Sequence, residues 1–475
     1  MKPLTIDELR QAVRGRWLRS PNEPSVGGVS TDTRTARAGD LLFALRGERF
    51  DAHDYLPQAE QAGCAAAVVA RDAPQLAERT DGQMGLLLVG DPLQALGELA
   101  AFYRGLTAAT VVAVTGSNGK TTVKRMIDHI LSRRLVGRCS PRSYNNAVGV
   151  PLTLLGIEPA DEYAVCEIGT NAPGEVASLG GLVRPDVAVV TSVSAAHTEK
   201  LGDVDRVAVE KASLLGCVSP GGLAVVWSDS PPLQRAVGLV DGAPRVVRFG
   251  RSDEAELRLT DYRPTGAGQR FEVNGRLWVE LPVPGRHNAV NALAALAVAR
   301  RFGFELDAAG AALADFSGVE MRLQRVAAGA VTILDDAYNA NPASVLAAAD
   351  VLSETPARRR VAVIADMLEL GDRSAEMHRR TGRDLAAREL DLLIGVGELG
   401  RYVTEGAHQA GATAECVADA ERAATEIPPR LRAGDVVLVK GSRGMRMERV
   451  VAAVRRAFDE SPGPVEARAE EDAAS

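Results

Sequence analysis

The stretch Thr110-Val-Val-Ala-Val-Thr-Gly-Ser-Asn-Gly-Lys-Thr-Thr122 constrains this chain more than any other. Its apolar start, 111–114, reads as a buried parallel strand. Gly116, Ser117, Asn118 and Gly119 then turn the backbone sharply. From Thr121 onward Val123, Met126, Ile127, Ile130 and Leu131 recur at helical spacing. A strand, a glycine turn and a helix start in that order form an anion site. Unpaired backbone N–H groups converge there, the helix dipole adds positive potential, and Lys120 adds a full charge. Thr121 supplies the hydroxyl that a phosphate-bound Mg²⁺ needs, and Thr115, Ser117, Asn118 and Thr122 complete a nucleotide-binding loop. The long phosphate-loop pattern wants a glycine five residues before Gly119, where this chain has Val114. The remaining Gly-Lys-Thr-Thr, set between a strong strand and a strong helix, still reads as an ATP site.

At 475 residues the chain is too long for one core, and about three domains is the expectation. The fold class expected is α/β. Residues 1–107 form a small N-terminal α/β unit. Residues 108–325 form a central unit with a parallel sheet around the phosphate loop. Residues 326–460 alternate strand and helix in a Rossmann-like way, and 461–475 read as a disordered acidic tail. A formal charge of −7 speaks against a nucleic-acid binder. The five cysteines, at 64, 139, 166, 217 and 416, show no paired or metal-like spacing. With neither a signal core nor a bilayer-length apolar run, the expectation is a cytoplasmic protein that does not insert in a membrane.

In a parallel sheet ligands collect beyond the carboxyl ends of the strands. Glu167 ends the strand YAVCEI there, and His197 follows the strand VAVVTSV. Asn145 and Asn146 precede Gly149-Val-Pro151. A lone Glu or His is ordinarily structural. Their convergence with Lys120 and Thr121 on one sheet edge makes them plausible Mg²⁺ ligands. Lys211, in a helix over 206–215, reaches toward the same edge, though a solvated lysine is the default. Further on, Arg286, His287, Asn288 and Asn291 cluster at a helix start, where amides can read a base. In the first unit Asp32, Thr33, Arg34 and Arg46 sit on loops suited to a diphosphate, or simply to solvent. The run Gly395-Val-Gly-Glu-Leu-Gly400 is formally a dinucleotide fingerprint. It follows the third strand of its unit rather than the first, and no ribose-binding acid follows it, so it reads as a turn.

The ordered motifs TGSNGKTT, SYNNAVGVP, EIGTNAPGE, AAHTEK, PGRHNAVNALAA, MRLQRV, DDAYNANPAS and KGSRGMRMER resemble the Mur ligases of peptidoglycan synthesis across essentially the whole chain apart from the tail. DDAYNANPAS and KGSRGMRME are most similar to the branch that joins D-alanyl-D-alanine to a UDP-MurNAc-tripeptide. The Asp-Asn-Pro-Arg motif of the sister that adds the third residue is absent. The resemblance implies a monomeric three-domain enzyme that activates a carboxylate with ATP as an acyl phosphate. It implies that Thr121 and Glu167 hold one Mg²⁺, that Glu167 and His197 hold a second, and that Lys211 is carbamylated. It also implies Lys120, His197 and Lys211 as catalytic groups, Asn288 facing adenine, and Arg322 and Asp336 closing over phosphates and ribose. Asp32, Thr33, Arg34 and Arg46 would meet the uridine diphosphate. Asn145, Asn146 and Thr170 would approach the sugar or peptide, and Lys440, Ser442 and Arg443 the dipeptide carboxylate or the acyl phosphate. A sister amide ligase, of the UDP-MurNAc-dipeptide or folylpolyglutamate type, remains the alternative. A nucleotide-hydrolysing switch and a nicotinamide oxidoreductase are rivals of other classes.

Overall fold

The computed structural model describes residues 1–72, 75, 80–141, 143–196 and 198–459. Both His197 and the tail at 461–475 therefore lie outside the described residues. Three large sheets follow one another along the chain.

The first sheet has five strands. Gly28–Ser30, Asp40–Phe43, Ala66–Ala70 and Gly85–Val89 run parallel, and Arg16–Arg19 closes the edge antiparallel. The helix Pro92–Arg104 leaves this unit with Asp91 as its cap and Pro92 at its start. Its Leu96, Leu99 and Tyr103 share one apolar core with Val150, Leu154 and Leu179 of the next unit. The first two units are thus joined by buried surface as well as by chain.

The central sheet has nine strands. In spatial order they are Leu277–Leu281, Gly268–Val273, Leu257–Thr265, Arg245–Gly250, Leu223–Trp227, Val187–Val190, Thr110–Thr115, Tyr163–Glu167 and Gly137–Cys139. The phosphate-loop strand lies between Val187–Val190 and Tyr163–Glu167 and is parallel to both. It is buried on both faces, as its unbroken apolar run requires. The sheet is not parallel throughout. The irregular stretch after Arg245 ends in an antiparallel meander, because short turns join its last three strands where no crossover helix intervenes.

The third sheet has six strands. Gln324–Ala328 pairs antiparallel with Val331–Asp336, followed by Asp435–Lys440, Arg359–Ala365, Leu392–Val396 and Ala414–Val417, all parallel. Here the glycine fingerprint is a turn. The Asp366 carboxylate accepts from Leu399 N (3.0 Å) and Gly400 N (2.8 Å) at the start of the helix Gly400–Gln409. Gly397 has φ +101°, and a Cβ there would meet Asp366 Oδ1 at 2.5 Å. The chain's own carboxylate occupies the cradle that a pyrophosphate would need.

Candidate active site

The phosphate loop is anchored from the side by residues whose part the sequence did not reveal. Ser117 N donates to Ser192 O (2.8 Å), and Asn118 N to Ser192 Oγ (2.8 Å). The Thr191 hydroxyl donates to Asn118 O at 2.5 Å. Gly119 caps the helix Lys120–Leu131 with φ +83°, a left-handed conformation that costs a side chain energy. A Cβ at this position would also lie 2.5 Å from Asn291 Oδ1, so the second Asn of the PGRHNAVN motif packs directly on the loop. Thr115 and Gly116 shape the loop from beneath and do not line the cleft, whereas Ser117 to Thr122 do.

Lys120 is partly buried, and its Nζ donates to Gly116 O at 2.8 Å. Burial lowers the pKa of its ammonium from the ordinary value; Glu167 opposes the shift and Arg322 adds to it. Thr121 Oγ1 donates to Glu167 Oε2 at 3.0 Å, and Asn145 Nδ2 to Glu167 Oε1 at 3.0 Å. A further partner is Lys124, wholly buried one turn along the helix, with Nζ 3.3 Å from Glu167 Oε2. Lys124 also donates to Ser140 O (2.9 Å) and Ser140 Oγ (3.1 Å). Burial works to raise the Glu167 pKa, but Lys124, Lys120 and the two hydrogen bonds outweigh it and hold the carboxyl below its usual range.

Lys211 is not solvated. It is 1 % exposed on the helix Val204–Ala212, behind the cleft wall rather than lining it. Burial, helped by nearby Lys120 and opposed by Glu210 and Glu175, pushes its pKa well below the ordinary value. Its neighbour Glu210 is committed elsewhere, accepting from Gly174 N (2.7 Å) and Val176 N (2.8 Å). Thr170 donates to Ala172 O (2.7 Å) in the same loop. Asn146 lies three residues before the helix Gly149–Leu155, and its Oδ1 accepts from Val148 N and Gly149 N.

The third unit closes the other side. Asp336 ends the strand Val331–Asp336, and its Oδ2 accepts from Lys440 Nζ at 2.6 Å. Lys440 is nearly fully buried and also donates to Asn339 O (2.8 Å). Ser442 Oγ accepts from Leu368 N (2.9 Å), while Arg443 pairs with Glu448 (3.1 Å). Asn288 is buried; its Nδ2 donates to Pro284 O (2.8 Å), and its Oδ1 accepts from Asn291 Nδ2 (3.2 Å). It is not a cap, since the helix Arg286–Arg301 starts two residues earlier. Burial pushes the His287 imidazole down to about 4, with Asp336 opposing, so it is neutral at pH 7.

Two amides bridge the units. Asn341 Nδ2 donates to Asn118 Oδ1 at 2.8 Å, and Asn118 Nδ2 to Asn341 Oδ1 at 3.4 Å. Asn341 is also the cap of the helix Pro342–Glu354. The half-open cleft between the units measures about 1440 Å³. Lys120, Thr121, Asn145, Asn146, Glu167, Thr170, His287, Asn288, Arg322, Asp336, Lys440, Ser442 and Arg443 all line it. Asp32, Thr33, Arg34 and Arg46 do not. Arg34 turns back onto Asp32 (2.5 Å), and Arg46 pairs with Asp51 (3.2 Å) and Asp72 (3.0 Å).

Comparisons with known proteins agree over most of the chain. The Mur ligase family catalytic domain matches residues 25–104, the Mur ligase middle domain 114–299, and the Mur ligase glutamate ligase domain 321–443. The UDP-N-acetylmuramoyl-tripeptide–D-alanyl-D-alanine ligase of Escherichia coli K12 is 36% identical over 466 residues, covering 96% of this chain and 99% of that one. Its Bacillus subtilis counterpart is 32% identical, covering 94% and 97%. A crystal structure of MurF from Acinetobacter baumannii superposes with a TM-score of 0.85 at 31% identity, covering 96% and 99%. MurF ligase from Thermotoga maritima in complex with ADP gives 0.80 at 28% identity, covering 91% and 98%. The phosphate loop, the Glu167 cluster and the closing third unit therefore stand in a chain that belongs to the Mur ligase family.

Proposed function

We propose that this chain is an ATP-dependent ligase that joins D-alanyl-D-alanine to UDP-N-acetylmuramoyl-tripeptide, giving the pentapeptide precursor of peptidoglycan. One observation carries the reading: a phosphate loop and a separate lobe line one open cleft, with cations contributed from both sides. Full-length similarity to enzymes named for this reaction supports it.

A carboxylate is a poor acyl donor because its oxygen leaves badly. The γ-phosphoryl group of ATP passes to the terminal carboxylate of the tripeptide, leaving ADP. The free amine of the dipeptide then attacks the acyl phosphate, and the tetrahedral intermediate collapses to an amide and inorganic phosphate, with loss of the amine proton. Transfer between two anions needs concentrated positive charge and in-line placement. Lys120, the loop N–H groups and Arg322 supply the charge. Asn288 faces the adenine and Asp336 the ribose. Lys440, Ser442 and Arg443 serve the dipeptide or the acyl phosphate; Asn145, Asn146 and Thr170 serve the sugar or peptide. Asp32, Thr33, Arg34 and Arg46 serve the uridine diphosphate.

Thr121 Oγ1 and Glu167 Oε2, 3.0 Å apart, are hard oxygen donors of the kind Mg²⁺ takes. Among the described residues no three acidic, His or Cys side chains form a self-sufficient metal site, so phosphates and water would complete its shell. When bound, Mg²⁺ would offset the repulsion between the reacting anions. His197 and a carbamylated Lys211 would serve a second ion. The depressed pKa of Lys211 favours the neutral amine, the form that takes up carbon dioxide and releases a proton. Lys211→Ala is expected to lose about a hundred-fold in rate and to regain part of it with added formate or acetate, which replace the missing anion. A variant as active as the parent would remove this role. We read the enzyme as a monomer acting in the cytoplasm. No helix among the described residues is long and apolar enough to cross a membrane.

The test is phosphate release with a panel of amines, run on tripeptides ending in meso-diaminopimelate or lysine. D-Ala-D-Ala is expected to outpace single amino acids by well over about tenfold. Release indifferent to the amine would instead mark a nucleotide-hydrolysing switch, and preference for glutamate a sister ligase.

A further inference from the structure

Building on that ligase reading, we propose that Tyr338 is a positioning residue whose ring holds the Arg322 guanidinium over the phosphate site. Arg322 Cζ lies 4.0 Å from the Tyr338 ring centroid. Among the described residues the guanidinium makes no hydrogen bond or ion pair, so the ring is the contact that orients it. Arg443 lies farther from the same ring, at 6.0 Å, and is tied to Glu448. Arg322 is also near enough to add to burial in depressing both Lys120 and Lys440. A cation so placed, with no carboxylate partner, is ready for an anion.

The backbone fixes arm and shelf to each other. Met321 and Leu323, on either side of Arg322, have φ of +57° and +53°. Left-handed backbone at two such residues persists only where the surroundings over-determine it. Here the segment 336–338 does so. Leu323 N donates to Asp336 Oδ1 (3.2 Å), and Tyr338 N to Met321 O (3.3 Å). These two bonds aim the Arg322 Cα, but they leave a long flexible side chain free. The aromatic face confines it, since a guanidinium is drawn to the π cloud. A cation held in place beforehand needs no reorganisation when the phosphoryl group moves. Because the Tyr338 hydroxyl makes no hydrogen bond among the described residues, the ring alone is what this role needs.

A double-mutant cycle tests the assignment, comparing Tyr338→Leu, Arg322→Ala and the double variant. It is read on D-Ala-D-Ala-dependent phosphate release and, in parallel, on binding of a non-hydrolysable ATP analogue. Tyr338→Leu is expected to lose about tenfold in kcat, Tyr338→Phe less than about twofold, and the double variant no more than Arg322→Ala alone. Losses that multiply in the double variant, or a Phe variant as damaged as the Leu variant, would overturn the proposal. Increasingly fluorinated phenylalanines at 338 keep the shape and fold while weakening the ring face. Activity should fall stepwise along that series, and a flat response would also overturn the shelf. If the unsubstituted enzyme showed no dependence on D-Ala-D-Ala, the ligase reading would fail, while the analogue-binding cycle would still decide the part played by Tyr338.

Discussion

Lys120→Ala is expected to reduce ATP-dependent ligation by about a thousand-fold or more while leaving the protein folded. The ammonium is a lone full charge within the loop itself, and its bond to Gly116 O keeps it folded over the place where phosphates would sit. Transfer from one anion to another has no substitute for that charge at the moment the bond breaks. The side chain is only partly buried, so alanine leaves no core cavity. Thermal unfolding should shift by no more than a few degrees for a loss below about 1 kcal/mol. Ordinary ligation by this variant would move the nucleotide away from residues 115–122.

Lys124→Met should act in the opposite way, on stability first. Lys124 and Glu167 are 0% and 1% exposed, and breaking a buried pair by deleting one partner costs about 3–5 kcal/mol. For a unit of this size that corresponds to a lowering of the melting point by roughly 10 °C. Thr121, Asn145 and Lys120 still support the stranded carboxylate, which sets the loss toward the lower end. Adding Glu167→Gln should restore much of it, because the double variant buries no uncompensated charge. Denaturant midpoints of the two variants decide the matter: a double variant less stable than the single would show that the pair is not the source of the effect.

The contrast between these two lysines shows what the sequence could tell. Lys120 was legible because a glycine turn between a valine-rich strand and an amphipathic helix has few other uses. Lys124 reads as one more basic residue in TTVKRM. Yet on a helical wheel it falls beside Ile127 and Leu131, at the margin of the apolar stripe, and that position was the available signal for burial. Glu167 and Asn288 were found because strand ends and a helix start can be read from periodicity. Ser140, which holds Lys124, and Thr191 and Ser192, which anchor the phosphate loop, are small hydroxyl residues on loops, which carry no period. Lys211 was placed at the site edge by its helix and by the family resemblance, but its burial is not legible there; packing of the helix Val204–Ala212 against its neighbours produces it. The Asp366 plug in the glycine fingerprint likewise lies 31 residues from Gly397, a closure that only the folded sheet brings about.

The clasp between Asn118 and Asn341 bears on turnover. Two neutral amides contribute only about 1 kcal/mol each beyond what water would give them. Such a fastening yields to thermal motion, so the lobes can part to discharge product without a heavy barrier. Being uncharged, it is also blind to ionic strength and to acidity. The opening rhythm of the enzyme, as far as it depends on this contact, should be the same in dilute buffer as in concentrated salt.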